Sequence, residues 1–261
     1  MYRLLRLLLR LLLVMVAACA IAAGLVAIVI ALAMIVSEAG ATMRVVRRPI
    51  VSTYDPGPPI AYVSNSLTTV GDASATTCAT PSQSVTAGNL LVCHVQFEGA
   101  VTTVSSIADT AGNTFSQLTM QSHANNDLRG LLVYVSNCAG NAANVVTFTL
   151  AASRPFRKCA CIQYSGVQAS GALDTSINGT GTGTSATTSA VTTAGSYVAI
   201  TTVSLYGART QTETSPWVER MENGNVQFAE QADTVSESIS GGATTWAISI
   251  EWTMQMAVFK D

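Results

Sequence analysis

Histidine is almost absent: the chain has two, His94 and His123, and neither sits in a motif that would make it a base or a metal ligand. There is no G-x-S-x-G, no H-E-x-x-H and no P-loop, so nucleophilic, zinc-hydrolytic and phosphate-cradling chemistry lack their residues. No C-x-x-C pair occurs either, which leaves the six cysteines without a zinc-ligand spacing. Beyond residue 60 no helix-period segment of useful length is found, and this excludes bundles and α/β folds. Glu219, Glu222, Glu230 and Glu251 are the remaining resource for glycoside-type chemistry, but acids on the polar face of a strand are normally just solvated. Asp109 and Asn113 have calcium-ligand character, yet Asp-x-x-Gly-Asn reads first as a turn. We assign no catalytic residue, no metal and no cofactor.

Charge is also scarce, at 11% of residues, and it is unevenly divided. Residues 1–51 hold six arginines against Glu38, a net of +5, whereas residues 52–261 hold five arginines and two lysines against fourteen acids, a net of −7. An acidic domain whose longest basic run is Arg157-Lys158 repels phosphate backbones, so nucleic acid is not an expected partner.

The longest stretch without any charge runs from Leu11 to Val36, behind Arg3, Arg6 and Arg10. As a helix it extends about 39 Å, more than the roughly 30 Å hydrocarbon core, and we read residues 1–36 as a transmembrane signal anchor in the bilayer. A cleaved signal peptide ending at Ala39-Gly40-Ala41 is the first alternative, although its apolar region is normally about 7–15 residues. A lipoprotein cut before Cys19, in Val16-Ala17-Ala18-Cys19, is the second, although the chain stays apolar beyond it. Arg44, Arg47 and Arg48 nearly cancel the orienting charge of the first three arginines; we place the C-terminal domain outside the cytoplasm on its composition. Ala20 with Gly24, and Ala23, Ala27 and Ala31, form small-residue ridges suited to self-association or to plain lipid contact. Residues 37–59, with Pro49, Pro56, Pro58 and Pro59, form an extended linker.

From residue 60 the apolar period becomes two. Leu91, Cys93, Val95 and Phe97 alternate with Val92, His94, Gln96 and Glu98, and the pattern returns around Leu131, Phe148, Cys159 and Tyr197. It is strongest at the end, where Trp246, Ile248, Ile250, Trp252, Met254, Met256 and Val258 share one parity. Such alternation predicts half-buried strands, the last long enough to bend. About ten strands without helices predict an all-β domain over 60–261: an antiparallel two-sheet sandwich, jelly-roll or Ig-like. Residues 178–189, almost wholly Gly, Thr, Ser and Ala, read as a flexible loop or a poorly specified edge strand.

Five segments in order, Val85–Val92, Ile107–Phe115, Gln163–Val167, Thr192–Gly195 and Ala257–Lys260, make the domain resemble a Thr/Ser/Gly-rich β-sandwich module of bacterial secreted, surface and phage-related proteins. The resemblance implies a sandwich in an extracellular setting and brings no defined activity. The chain departs from it in its five domain cysteines and in Gln163, where an acid is common. Within the chain, Thr86–Val92 is echoed by Thr193–Ala199, too weakly to establish a duplication.

Cys78, Cys93, Cys138, Cys159 and Cys161 are odd in number, so at least one is unpaired or bonds another chain. Cys93 reads as a small core residue, Cys159 and Cys161 share a face and do not bridge each other, and one disulfide among Cys78, Cys138 and the 159/161 pair is open. Function reduces to three readings. One is a non-enzymatic anchored module for adhesion or ligand contact, another a structural protein of a phage or virus particle, and the third a glycan-binding or carbohydrate-active protein. Tyr206 and Trp217, which bracket a polar segment, are the candidate contact residues for a sugar ring or protein surface; alternatively Trp217 plugs the end of the fold. The anchor reading predicts that mass spectrometry of the mature protein finds residues 1–36 retained; an N-terminus at Thr42 or at a lipidated Cys19 overturns it.

Overall fold

The computed structural model describes residues 58–67, 73–99, 102–123, 125, 128–233, 237–242 and 244–261. The apolar segment, its arginines and its small-residue ridges lie outside these residues, as does the linker up to residue 57. Among the described residues no helix is long and apolar enough to cross a membrane.

The described chain is all-β and antiparallel. Its first eleven strands are β1 (Ala61–Leu67), β2 (Ala75–Ala79), β3 (Gln83–Val85), β4 (Leu90–Glu98), β5 (Val104–Asp109), β6 (Ser116–Gln117), β7 (Gln121–His123), β8 (Leu128–Val135), β9 (Asn141–Asn144), β10 (Val146–Arg154) and β11 (Lys158–Ser165). Seven more follow: β12 (Leu173–Ala186), β13 (Ala190–Thr192), β14 (Tyr197–Leu205), β15 (Val218–Glu222), β16 (Val226–Asp233), β17 (Ser238–Ser240) and β18 (Thr244–Lys260). Two main sheets carry the fold. The first has the order β1-β11-β4-β8-β6, with β7 also on β8, and the second the order β12-β18-β14-β16-β15.

These orders are the same order. Taken along the chain, β1, β4, β6, β8 and β11 of the first sheet occupy the places that β12, β14, β15, β16 and β18 occupy in the second. The small pairs β3–β9 and β13–β17 also correspond. So does the outer layer: β2-β10-β5 in the first half is matched by the tail of β12 on the head of β18, Ser185 opposite Thr245, with Thr212 bridging Thr245. The echo between Thr86–Val92 and Thr193–Ala199 marks the equivalent entries to the two central strands, each through a glycine of positive φ, Gly88 and Gly195. The domain is therefore two halves of one topology rather than a single two-sheet sandwich.

The two main sheets pack against each other. Leu90, Val92, Leu132, Ile162 and Tyr164 of the first meet Val198, Ile200, Phe228, Ala257 and Phe259 of the second in one buried cluster. On its other face the first sheet packs against β2-β10-β5 through Leu91, Val95, Phe97, Val133 and Phe148. The far face of the second is covered by a cluster of Tyr197, Trp217, Ile239, Met256 and Val258 and another of Val203, Leu205, Trp246 and Met254. Both faces of β4 and β14 are consequently buried, and the expectation of half-buried strands fails there: Val92, His94 and Gln96 lie as deep as Cys93 and Val95.

Residues 178–189 supply most of edge strand β12. Its alternate glycines form a track for Trp252: a Cβ on Gly181 would sit 2.8 Å from the indole. Trp252 is thus half-buried rather than a core residue. The break expected in the long last strand falls between Thr245 and Ile250, where the register skips and Trp246 Nε1 donates to Gly183 O at 2.9 Å.

The cysteines depart from expectation at Cys93, read as a plain core residue, while Cys78–Cys159 falls within the set left open for a disulfide. Cys93 pairs with Cys161 directly across β4 and β11, and Cys78 joins β2 to β11 through Cys159, so two disulfides staple the first half. Cys138 is the odd one, buried and unpaired, its thiol directed at Thr86 O.

Gln163 explains its own departure from the acidic pattern. Fully buried, it accepts from Thr86 N at 2.7 Å and Asn89 Nδ2 at 2.8 Å, and donates to Ser64 Oγ at 3.0 Å and Ser84 O at 3.3 Å. A carboxylate has no N–H for the last two. We expect Gln163→Glu to cost about 2–3 kcal/mol in urea unfolding at pH 7 of a fragment beginning at Ser52. Burial would raise the new carboxyl's pKa above its unfolded value, so the deficit should shrink as pH falls; a pH-independent deficit or none overturns this account.

Candidate functional site

A cleft of about 460 Å³ opens where β4 and β14 both end, lined from both halves. Glu98, Phe156 and Lys158 come from the first half, and Tyr206, Asn223 and Asn225 from the second. Two of these are large exposed side chains, Phe156 at 42% and Tyr206 at 38%.

Each aromatic stands on a fixed backbone. Tyr206 N donates to Glu251 O at 3.0 Å, and just before it Leu205 N donates to Asn225 O at 2.8 Å. The Leu205 carbonyl accepts from both Asn225 Nδ2 and the buried Gln96 Nε2, so a side chain of the first sheet pins the segment that carries Tyr206. Phe156 sits in the β10–β11 turn at φ +50°. Left-handed backbone costs a bulky L-residue about 1–2 kcal/mol, and no such conformation persists unless its surroundings impose it. Arg157 does so here. Its buried guanidinium donates to Thr77 O at 2.9 Å, to Ala73 O at 2.6 Å and to Arg154 O, locking the turn that presents the ring.

Trp217 does not join Tyr206. It is 7% exposed, packed among Tyr197, Ile239 and Met256, and a Cβ on Gly242 would come within 2.6 Å of its indole. Its place is the plug, and the partner for Tyr206 is Phe156. In the sequence the only hint of Phe156 is a Pro-aromatic step between arginines, Arg154-Pro155-Phe156-Arg157.

The other candidates are committed elsewhere. Asp109 accepts from Asn113 N, Asn113 Nδ2 and Asn144 Nδ2 at 2.6–3.0 Å, which makes it a turn staple. Glu230 pairs with Arg220, itself 4.6 Å over the Tyr62 ring. Glu219 accepts from Gln227 and Glu222 from Gly224 N. No cluster of His, Cys, Asp and Glu with metal-site geometry exists among the described residues.

His94 has an arrangement that resembles catalytic machinery, with Nε2 3.3 Å from Ser204 Oγ. The pair is buried between the main sheets, Nδ1 has no partner to orient the ring, and Gly130 closes over both, its missing Cβ within 3.0 Å of each. A serine that no substrate reaches is not a nucleophile, and this one fills a polar gap.

Fold and cleft together define an antiparallel all-β module with a rigid, aromatic-flanked recess. Comparison of the chain with protein-family models, with curated proteins and with solved structures gives no match.

Desolvation pushes the His94 pKa down to about 3 from an ordinary 6.5. Because the folded pKa lies below the unfolded one, His94 favours folding fully above pH 6.5 and loses that stability as pH falls towards 3, by up to about 1.4 kcal/mol per pH unit. Urea unfolding should show the gap in stability between the parent and His94→Asn narrowing from pH 6.5 to pH 5. A constant gap means His94 is not the group that resists protonation.

Proposed function

We propose that the chain is a non-enzymatic, membrane-anchored module that holds its β domain outside the cytoplasm for adhesion or ligand contact through the Phe156–Tyr206 cleft. The observation that carries this is the cleft itself: two exposed aromatics, each fixed by buried polar groups, one at the cost of left-handed backbone. Apolar surface that is rigid before the ligand arrives loses little entropy on contact, which is what aromatic anchors in recognition sites provide. Two disulfides in the domain suit an oxidising compartment, and Leu11–Val36 supplies the anchor. Among the residues that line the cleft, Glu98 is the one acid, with no histidine or cysteine beside it. The sandwich of each half is of the jelly-roll or Ig-like kind, in which loops at the sheet ends carry contact.

The test is attachment of proteoliposomes bearing the full chain to a panel of intact bacterial and eukaryotic cells. Tyr206→Ala and Phe156→Ala should each weaken attachment by tenfold or more, the scale of a hot-spot aromatic, without lowering the melting temperature. Large defined oligomers in detergent, with attachment indifferent to both substitutions, would instead favour a structural component of a virus particle.

A further inference from the structure

Resting on the contact reading above, the lining of the cleft narrows the class of ligand. Its charged groups are one acid, Glu98, and one base, Lys158, on adjacent strands. The two are of opposite sign, so the lining residues themselves carry no excess charge that would select a phosphate, a nucleic acid or a cation. About 460 Å³ lies within the range of small-ligand sites, so the recess itself does not call for a macromolecular partner. Nor does it suit an acyl chain, because Asn223 and Asn225 put amides where a lipid site would be continuous hydrocarbon. What remains is a molecule with a flat apolar face and a rim of groups that both donate and accept. A pyranose ring is built that way: axial C–H groups give it an apolar face for Phe156 and Tyr206, and its equatorial hydroxyls suit amide, carboxylate and ammonium partners.

We infer that the cleft binds a neutral sugar residue of a glycan, one pyranose face against the Phe156 and Tyr206 rings. The conformation of Phe156 is the independent support. Phe156 keeps 42% of its surface exposed at φ +50°, a conformation in which glycine would be unstrained. The fold therefore retains a strained backbone under a partly exposed ring, as expected where the side chain serves a ligand.

This gives an experiment in which a structural role and a binding role move in opposite directions. The full chain in a sugar-free detergent is examined by saturation-transfer NMR against cellobiose, maltose, lactose and N,N′-diacetylchitobiose, after screening on an array of neutral and sialylated glycans. Transfer to the ring C–H protons of at least one neutral saccharide is expected, falling at least tenfold in Phe156→Gly and in Tyr206→Ala. The melting temperature of Phe156→Gly should be unchanged or higher. A lower melting temperature means the ring is there for packing, and transfer undiminished in both variants places any sugar elsewhere; either result overturns the proposal. Silence across every neutral glycan overturns it as well. If cell attachment still depends on Tyr206 in that case, the contact reading stands and only the ligand class falls.

Discussion

The domain depends on the packing of two main sheets against each other. A sheet with one wet face alternates apolar and polar residues, but β4 and β14 are covered on both faces, so every side chain from Leu90 to Phe97 and from Tyr197 to Leu205 is out of water. Apolar residues meet that condition by contact alone, at about 25 cal/mol per Å² buried. Polar residues meet it less uniformly: Thr201 bonds Ala229 O within its own sheet, Thr202 Oγ1 has no partner, and His94, Gln96 and Ser204 bond across to the opposing sheet. Gln255 shows how: its Oε1 accepts from Leu132 N at 2.7 Å, at the point where β8 runs between its short neighbours β6 and β7, and its Nε2 donates to Thr119 O at 2.9 Å. One side chain thereby completes a ladder in the sheet facing it.

The halves share a topology and solve their outer cores differently. All five domain cysteines lie in the first half, where two disulfides bind β2 and β4 to β11 beneath a thin three-stranded layer. All three tryptophans lie in the second, where Trp217 and Trp246 fill the corresponding outer clusters and Trp252 lies along the β12 glycines. Small outer sheets bury too little apolar surface to be held firmly, and a cross-link or a large ring is a direct remedy for each. The entry to the central strand is adjusted as well. Leu91 is three residues beyond Gly88 but Tyr197 only two beyond Gly195, and this one-residue difference turns the matching side chain of each strand to its own outer layer.

Strand positions were legible in the sequence because they rest on local alternation and turn residues: the alternation at Leu91 and around Leu131, Phe148, Cys159 and Tyr197 falls in β4, β8, β10, β11 and β14. Depth was not legible. His94 and Gln96 fall on the parity opposite Leu91, Cys93, Val95 and Phe97, which half-buried strands leave wet, whereas their partners Ser204 and Leu205 are over a hundred residues away. The reading of Cys93 failed for a related reason. Cys93 on an apolar parity is equally a core residue or half of a cross-strand disulfide, and only the register with Cys161 decides between them. Of the site, Tyr206 was visible as an aromatic without a place in a strand; Phe156 was hidden in a turn, and Trp217 carried the same local signal as Tyr206 although it is buried.

The position of the cleft follows from a gradient along the seam. On the face of β4 that meets the second sheet the residues run Leu90, Val92, His94, Gln96, Glu98, and on the facing side of β14 they run Val198, Ile200, Thr202, Ser204, and then Tyr206 just past its end. Polarity rises along both strands in the same direction, from hydrocarbon to single hydrogen bonds between the sheets to the charged and aromatic mouth. Packed hydrocarbon at one end sets the spacing of the sheets. The bond from Gln96 to Leu205 O carries that spacing to the last residue before the opening. A binding recess placed there inherits the rigidity of the core without interrupting it, because the Gln96 bond to Leu205 O ties the two sheets together at the step between them and the two strands open to water only where their side chains have something to present.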